Sequence, residues 1–325
     1  MKFMIAGLGS IGRRHLRNLK ALGEEDIVLY RSSRSTLPDD ELTGHIAEIE
    51  LDAALAHKPD AVIVSNPTAL HLDVAIPAAE AGCHLLIEKP ISHNLERVDE
   101  LLTAVKRGGG KVLVGYQFRF HPGLQDVKRW LMEGRIGKPI SAHAHWGEYL
   151  PDWHPWEDYR QSYAAQRDLG GGVVLTLCHP FDYLRWLMGE VVSVTSWTGQ
   201  VGELDLEVED IMEAILEFDS GAVGHVHLDY FQKPPAHRLE IIGIEGTIRW
   251  DNADGHASIY RSAEGRWESS SLPDGLDRNA LFMAEMRHFI DTATVDVEPV
   301  CPLDDGVQTL RVALAVLSPE KGDSI

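Results

Sequence analysis

Three things are scarce in this chain. Its 325 residues include only Cys83, Cys178 and Cys301. They are too few and too far apart for a disulfide framework or a zinc motif. Positive charge is short as well: 30 Lys and Arg stand against 50 Asp and Glu, a formal net charge of -20. That argues against nucleic acid, whose phosphates demand clustered cations. No apolar run approaches the roughly 18 residues of a membrane span. The first residues also lack the charged, apolar and cleavage-site order of a signal peptide. The expectation is a cytoplasmic protein with neither nucleic acid nor membrane as partner. At 44% apolar and 25% charged, the chain has a globular composition and enough length for two domains, each with its own core.

What is present begins at once. Phe3-Met4-Ile5-Ala6 is an apolar run short enough for a buried strand, and Ile11 to Leu22 has a helical pattern. Between them Gly7, Gly9 and Gly12 fall at the G-x-G-x-x-G spacing, enclosing Ser10 and Ile11. In a strand–turn–helix context the first glycine permits the tight turn. The second lets backbone approach a pyrophosphate, and the third lets helix and strand pack closely. Helix N–H groups and the helix dipole then favour the phosphates. Ile27 to Tyr30 is a second strand, followed by Arg31-Ser32-Ser33-Arg34 where NAD-binding chains usually carry an acid. Two guanidinium groups with hydroxyls suit a 2′-phosphate, so NADP is the preferred cofactor and NAD the alternative. A solvated basic turn is the plainer reading of the same four residues.

Buried strands continue at Ala61–Ser65, His84–Ile87 and Lys111–Tyr116, with helices between them. That alternation predicts a doubly wound parallel sheet over the first 116 residues. Asn66-Pro67-Thr68 and Glu88-Lys89-Pro90 lie at carboxyl ends of strands, where such a sheet keeps its ligand crevice. Lys89 is held out of helical conformation by Pro90. A helix capped by Asn94 is expected to run to Arg107. Beyond Phe118 the pattern changes. Residues 147–172 form a long aromatic loop, Val173 to Met188 reads as one helix, and Met212, Ala214, Leu216 and Phe218 alternate as in an antiparallel sheet. Helices near Ala280–Thr292 and Asp304–Leu317 finish the chain. The predicted domains are 1–118 and 119–325.

The chain is identified at this point as resembling the glucose–fructose oxidoreductase/inositol dehydrogenase (Gfo/Idh/MocA) family. The residues that carry the likeness are Gly7 through Gly12, Lys58-Pro59-Asp60-Ala61-Val62, Asn66-Pro67-Thr68 with His71, and Glu88-Lys89-Pro90. Gly115-Tyr116-Gln117-Phe118-Arg119-Phe120 and Gly170-Gly171-Gly172 through His179 and Asp182 continue it. The resemblance implies a Rossmann domain followed by an α+β domain with an open-faced, mostly antiparallel sheet whose bare face often forms an oligomer contact. It also implies NAD(P)-dependent redox chemistry on sugars or cyclitols. Asn66, Pro67, Thr68, His71, Glu88, Lys89 and Gln117 join the three glycines, Ser10, Ile11, Arg31, Ser32 and Arg34 as the expected cofactor contacts. One departure stands out: Thr176 occupies the position where the family commonly has Asp, and His179 follows it after three residues instead of four.

Oxidising a secondary alcohol needs a proton acceptor and a group that stabilises alkoxide charge. Lys89 can supply the second and His179 the first, with Asp182 one helical turn on to orient the imidazole. Both are expected to be catalytic and to contact substrate. Trp153, Trp156 and Tyr159 offer flat faces for a sugar ring, His154 lies among them, and Arg119 and Arg160 offer forked donors for a carboxylate or phosphate. The tryptophans would otherwise pack the loop down. His143 with His145, and His225 with His227, share strand faces, but no third ligand is apparent and no metal is expected. Cys178 and His179 are adjacent on a helix and do not face each other, which excludes a thiolate pair. The resulting expectation is an NAD(P)-dependent oxidoreductase moving a hydride to or from a secondary alcohol or ketone of a carbohydrate-like small molecule. The alternatives are a glycosidase using transient oxidation by bound NAD, and a non-catalytic ligand-sensing regulator. Apolar residues on both faces of Val208–Phe218 and Ala222–Phe231 suggest a homodimer or homotetramer.

Overall fold

Four-residue runs without a polar side chain have no face to give to water, and they form the centre of a parallel sheet. The computed structural model describes residues 1–32, 37–273, 275–295 and 297–318; Ser33 and Arg34 lie outside the described residues. The chain divides into two units. The first comprises residues 1–117, 168–170 and 278–310, and the second comprises 118–167, 171–277 and the residues from 311 on. A single cut at 118 therefore does not describe the chain, because the helix Arg278–Thr294 and the residues up to 310 return to the first unit. The reason is apolar: the helix Arg278–Thr294 buries Leu281, Phe282, Met286 and Phe289.

In the first unit the elements run β1 (Phe3–Ala6), α1 (Ser10–Ala21), β2 (Ile27–Tyr30), β3 (Ile46–Glu48), α2 (Leu51–Ala56) and β4 (Ala61–Val64). They continue as α3 (His71–Glu80), β5 (His84–Glu88), α4 (Val98–Gly108) and β6 (Val112–Gly115). The strands pair in the order β3-β2-β1-β4-β5-β6, all parallel. Every residue of β1, β4 and β6 is buried. Strand order reverses between β1 and β4, which opens a crevice at their carboxyl ends. Ala6 pairs with Val64 and Val64 with Ile87, so the segments beginning at Gly7, Ser65 and Lys89 leave neighbouring strand ends. Two details differ from the sequence expectation. Strand β3 is short and largely exposed, so no hydrophobic pattern marks it. Helix α4 begins at Val98, because the Asn94 side chain instead accepts from the Glu96 N–H (3.0 Å) and closes a local turn.

The second unit holds α5 (Pro122–Met132), β7 (Pro139–Gly147), α6 (Val173–Thr176), α7 (His179–Met188), β8 (Val191–Gly199) and β9 (Ile211–Phe218). It continues through β10 (Val223–Asp229), β11 (Ala236–Gly243), β12 (Gly246–Asp251), β13 (Ala257–Arg261) and β14 (Arg266–Ser269). Its sheet has the order β14-β13-β12-β11-β7-β10-β9-β8. The β7–β10 pair is parallel, and the other pairs are antiparallel. Met212, Ala214, Leu216 and Phe218 point inward, as do Ala142, Ala144 and Trp146, and α7 packs against β7. The opposite face carries exposed Trp197, Ile215, Val223 and Trp267. The helix expected over 173–188 is broken in two. Pro180 lies in the first turn of α7, where its missing N–H costs nothing and a new helix starts. The long loop is a series of 3₁₀ turns, Leu150–Asp152, Tyr159–Gln161 and Tyr163–Ala165. Among the described residues, no helix is long and apolar enough to cross a membrane.

Candidate active site

The three glycines of the first turn are bare for different reasons. Gly7 has φ +88°, and a Cβ there would lie 2.5 Å from the Asn66 nitrogen. A Cβ on Gly12 would lie 1.9 Å from the Gly7 carbonyl oxygen. Both positions are closed by the protein's own backbone. A Cβ on Gly9 would meet nothing within 4 Å, so that position faces open space. Helix α1 starts immediately after Gly9, and no side chain caps it. Its first N–H groups are thus available to an anion, and no side chain obstructs the approach. Ser10 and Ile11 are half-buried in this turn. The cradle fits a dinucleotide pyrophosphate.

At the neighbouring strand end, Ser65 Oγ donates to the carbonyls of Ala6 (3.0 Å) and Gly7 (2.9 Å). Asn66 donates through Nδ2 to Leu70 O (2.8 Å). The His71 ring nitrogens lie 2.9 Å from the carbonyl oxygens of Pro90 and Asn66. With 1% of its surface exposed, His71 ties two loops together, and burial lowers its pKa. That placement gives it a structural task. Pro67 is half-buried, and Thr68 and Gln117 are buried.

Strand β5 ends in Glu88, and half-buried Lys89 follows it. His15, on the inward face of α1, lies 2.7 Å from Glu88 Oε1 through Nε2. Burial pushes the Glu88 carboxyl up, but the His15 hydrogen bond and charge, with Lys89 and His71 nearby, hold it below its usual range. Glu285, on the returning helix, is fully buried, and neither carboxyl oxygen has a hydrogen-bond partner among the described residues. Burial, with the Glu88 charge nearby, pushes its carboxyl well up. His15 and Glu285 carry no signal of their own in the sequence; only the fold brings them beside Glu88.

In the second unit His179 opens α7 and is 1% exposed. Its ring stands edge-on to Phe118 (4.9 Å between centroids) and tilted against Trp146 (5.4 Å). Asp182, one helical turn on, is held by Arg119. Asp182 accepts from Arg119 Nη2 at 2.7 Å and from Nε at 3.1 and 3.2 Å, both residues being buried. Arg119 thus binds an internal carboxylate, where a substrate anion was the expected partner. Thr176 bonds the Tyr230 hydroxyl and the Gly172 carbonyl. Tyr230 is buried, also reaches Ala164 O (3.3 Å), and has its pKa raised by burial. Tyr230 thus occupies the surroundings of the missing acid, 54 residues away in sequence.

The aromatic loop is divided between packing and exposure. Trp153 stands edge-on to Tyr230 (5.6 Å), whereas Trp156 is 60% exposed, with His154 5.0 Å away. The Tyr159 hydroxyl accepts from the Asp205 N–H (3.2 Å). Arg160 binds Asp158 through Nε and Nη2, an exposed local pair that competes with any substrate anion. At the end of β2, Arg31 Nη1 lies 2.9 Å from Asp39 Oδ2. Asp39 therefore brings an acid back to a strand end that lacks one in sequence. The Arg31 hydrogen bond lowers the Asp39 pKa. Ser32 is exposed. Buried Arg13 anchors the same loop on Leu37 O (3.2 Å), Asp39 and Glu41.

The glycine geometry separates fold from ligand. Gly9→Ala should melt as the parent does yet bind nicotinamide dinucleotide at least about tenfold more weakly, because its methyl projects into the cradle. Gly12→Ala should lose stability by overpacking, about 1–3 kcal/mol or more. Thermal melts and fluorescence titration with reduced cofactor measure both. Unchanged affinity in Gly9→Ala would remove the phosphates from this turn.

Comparison with known proteins agrees with this geometry. Residues 1–116 match the oxidoreductase family with an NAD-binding Rossmann fold, and residues 124–249 match the GFO/IDH/MocA C-terminal domain. The 1,5-anhydro-D-fructose reductase of Ensifer adhaerens is 30% identical over 268 residues, covering 79% of this chain and 76% of that protein. The myo-inositol 2-dehydrogenase of Thermotoga maritima is 28% identical over 340 residues, covering 97% and 95%. Levoglucosan dehydrogenase in complex with NADH and levoglucosan has the same fold, with TM-score 0.85 at 19% identity over 98% of this chain and 96% of that one. The chain belongs to the Gfo/Idh/MocA family of oxidoreductases with an NAD-binding Rossmann domain.

Proposed function

We propose that this protein moves a hydride between a nicotinamide dinucleotide and a secondary alcohol or ketone of a sugar, cyclitol or sugar derivative. The observation that carries the proposal is Lys89 at the carboxyl end of β5, in the same parallel sheet whose β1 ends in the bare-glycine cradle. The inositol dehydrogenase and anhydrofructose reductase relatives support the substrate class. When bound, the nicotinamide accepts or returns the hydride. Lys89 hydrogen-bonds the reacting oxygen and stabilises its developing negative charge. His179 carries the hydroxyl proton. Lys89→Met should keep fold and cofactor affinity while losing roughly 10²-fold or more in kcat. His179→Ala should lose turnover similarly and flatten the acidic limb of the pH–rate profile. Near-normal turnover in either variant would remove that residue from the chemistry.

We further propose that the cofactor is NADP, with Arg31 and Ser32 receiving the 2′-phosphate. The Arg31–Asp39 pair works against this, since a phosphate must displace the carboxylate. The expected preference is therefore modest, about tenfold over NAD. Arg31→Asp should reverse the ratio of kcat/KM for the two cofactors, and Asp39→Asn should raise it. A parent that prefers NAD would contradict the assignment.

The open face of the second sheet, with Trp197, Ile215, Val223 and Trp267 exposed, is proposed to bury itself against a second copy of the chain as a homodimer or homotetramer. Light scattering at micromolar concentration should give at least twice the monomer mass; a strictly monomeric mass would rule the contact out.

A further inference from the structure

The parallel junction between β7 and β10 places unusual chemistry on the open face of the second sheet. Register pairs His145 with His227 and Gly147 with Asp229. The imidazoles of His145 and His227 stack 4.6 Å apart at 15°. His227 Nε2 lies 3.0 Å from Asp229 Oδ2, and ligand atoms of His145, His227 and Asp229 all fall within 4.8 Å of one another. Asp229 supplies the third ligand that the sequence does not reveal, and Gly147 leaves the space for it. A Cβ at 147 would lie 2.1 Å from Asp229 Oδ2.

We propose that His145, His227 and Asp229 form a binding site for a divalent transition-metal ion of the zinc class. Three further features support it. Glu213, opposite His227 on β9, accepts from His227 Nδ1 at 2.6 Å. In the neutral ring that bond selects the tautomer whose Nε2 lone pair turns toward Asp229, the carboxylate–histidine arrangement found behind metal ligands. With Nδ1–H on Glu213, Nε2 and the Asp229 carboxylate face each other as two acceptors, and only a proton or a cation reconciles them. Asp229 is itself held: Oδ1 accepts from the N–H groups of Phe231 and Gln232, both at 2.6 Å, which leaves Oδ2 toward the histidines. Two imidazoles and one carboxylate favour zinc over magnesium or calcium, with water completing a tetrahedron. Tetrahedral ligand atoms stand about 3.3 Å apart, so small side-chain rotations close the site. The ion would clip two strands of one chain and does not depend on the redox assignment.

The full-length chain, freed of metal by chelator and dialysis, is titrated with Zn²⁺ by calorimetry at neutral pH. One saturable site per chain, tighter than roughly 10 µM, is expected. His145→Ala should weaken it by more than about 100-fold, and Glu213→Gln, which keeps all three ligands, by roughly 10- to 100-fold. His143→Ala, on the same face outside the cluster, should bind as the parent does. Metal-free melting temperatures of the variants identify any that fail to fold, and Glu213→Gln serves if His145→Ala is lost. Absence of saturable binding overturns the proposal, with only a proton then bridging His227 and Asp229. Binding that survives both His145→Ala and Glu213→Gln marks adventitious surface histidines and overturns it equally.

Discussion

The near-contact of Gly12 with the Gly7 carbonyl sets the geometry of the first unit. A single methyl group would not fit, since a Cβ would lie 1.9 Å from that oxygen. The absence of side chains lets α1 leave β1 at once, and Ser65 then joins the turn to the end of β4 through its two carbonyl contacts. Because β4 and β5 are in register with β1, fixing this turn also fixes where Asn66 and Lys89 emerge. Gly9, free of any such crowding, is the position of the three where the missing side chain serves a ligand instead of the fold.

Next to Lys89, buried Glu88 sits against His15, with buried Glu285 close by. The His15 hydrogen bond and charge hold the Glu88 carboxyl below its usual range, whereas burial and the Glu88 charge push that of Glu285 well up. Two adjacent buried carboxylates cannot both ionise cheaply, and the imidazole decides which one does. In the second unit the same economy ties Arg119 to Asp182 and Thr176 to Tyr230.

The parallel sheet was legible because its strands are buried on both faces and read as continuous apolar runs. Strand β3 was not, being short and exposed. The break before His179 was legible in principle from Pro180 but was overridden by the helical pattern on either side. Long-range pairings were illegible for a simpler reason. Arg119 and Asp182 stand 63 residues apart, and His15 and Glu88 stand 73 apart, so no local spacing joins them. The histidine pairs on β7 and β10 were visible, yet Asp229 became their neighbour only through the parallel register of those strands. The return of the late helix to the first unit likewise depends on which apolar surface is left uncovered, a property of the assembled sheet.

The central claim is net hydride transfer by a bare-glycine cradle and Lys89 in one sheet. It is tested most directly by following nicotinamide absorbance with catalytic amounts of the protein, both cofactors, and a panel of sugars, uronic acids, amino sugars and inositols. For at least one of these substrates, free cofactor should change redox state in many-fold excess over protein, with an equal amount of ketone or alcohol formed. Cleavage of a glycosidic bond while the cofactor stays in its starting redox state would contradict it.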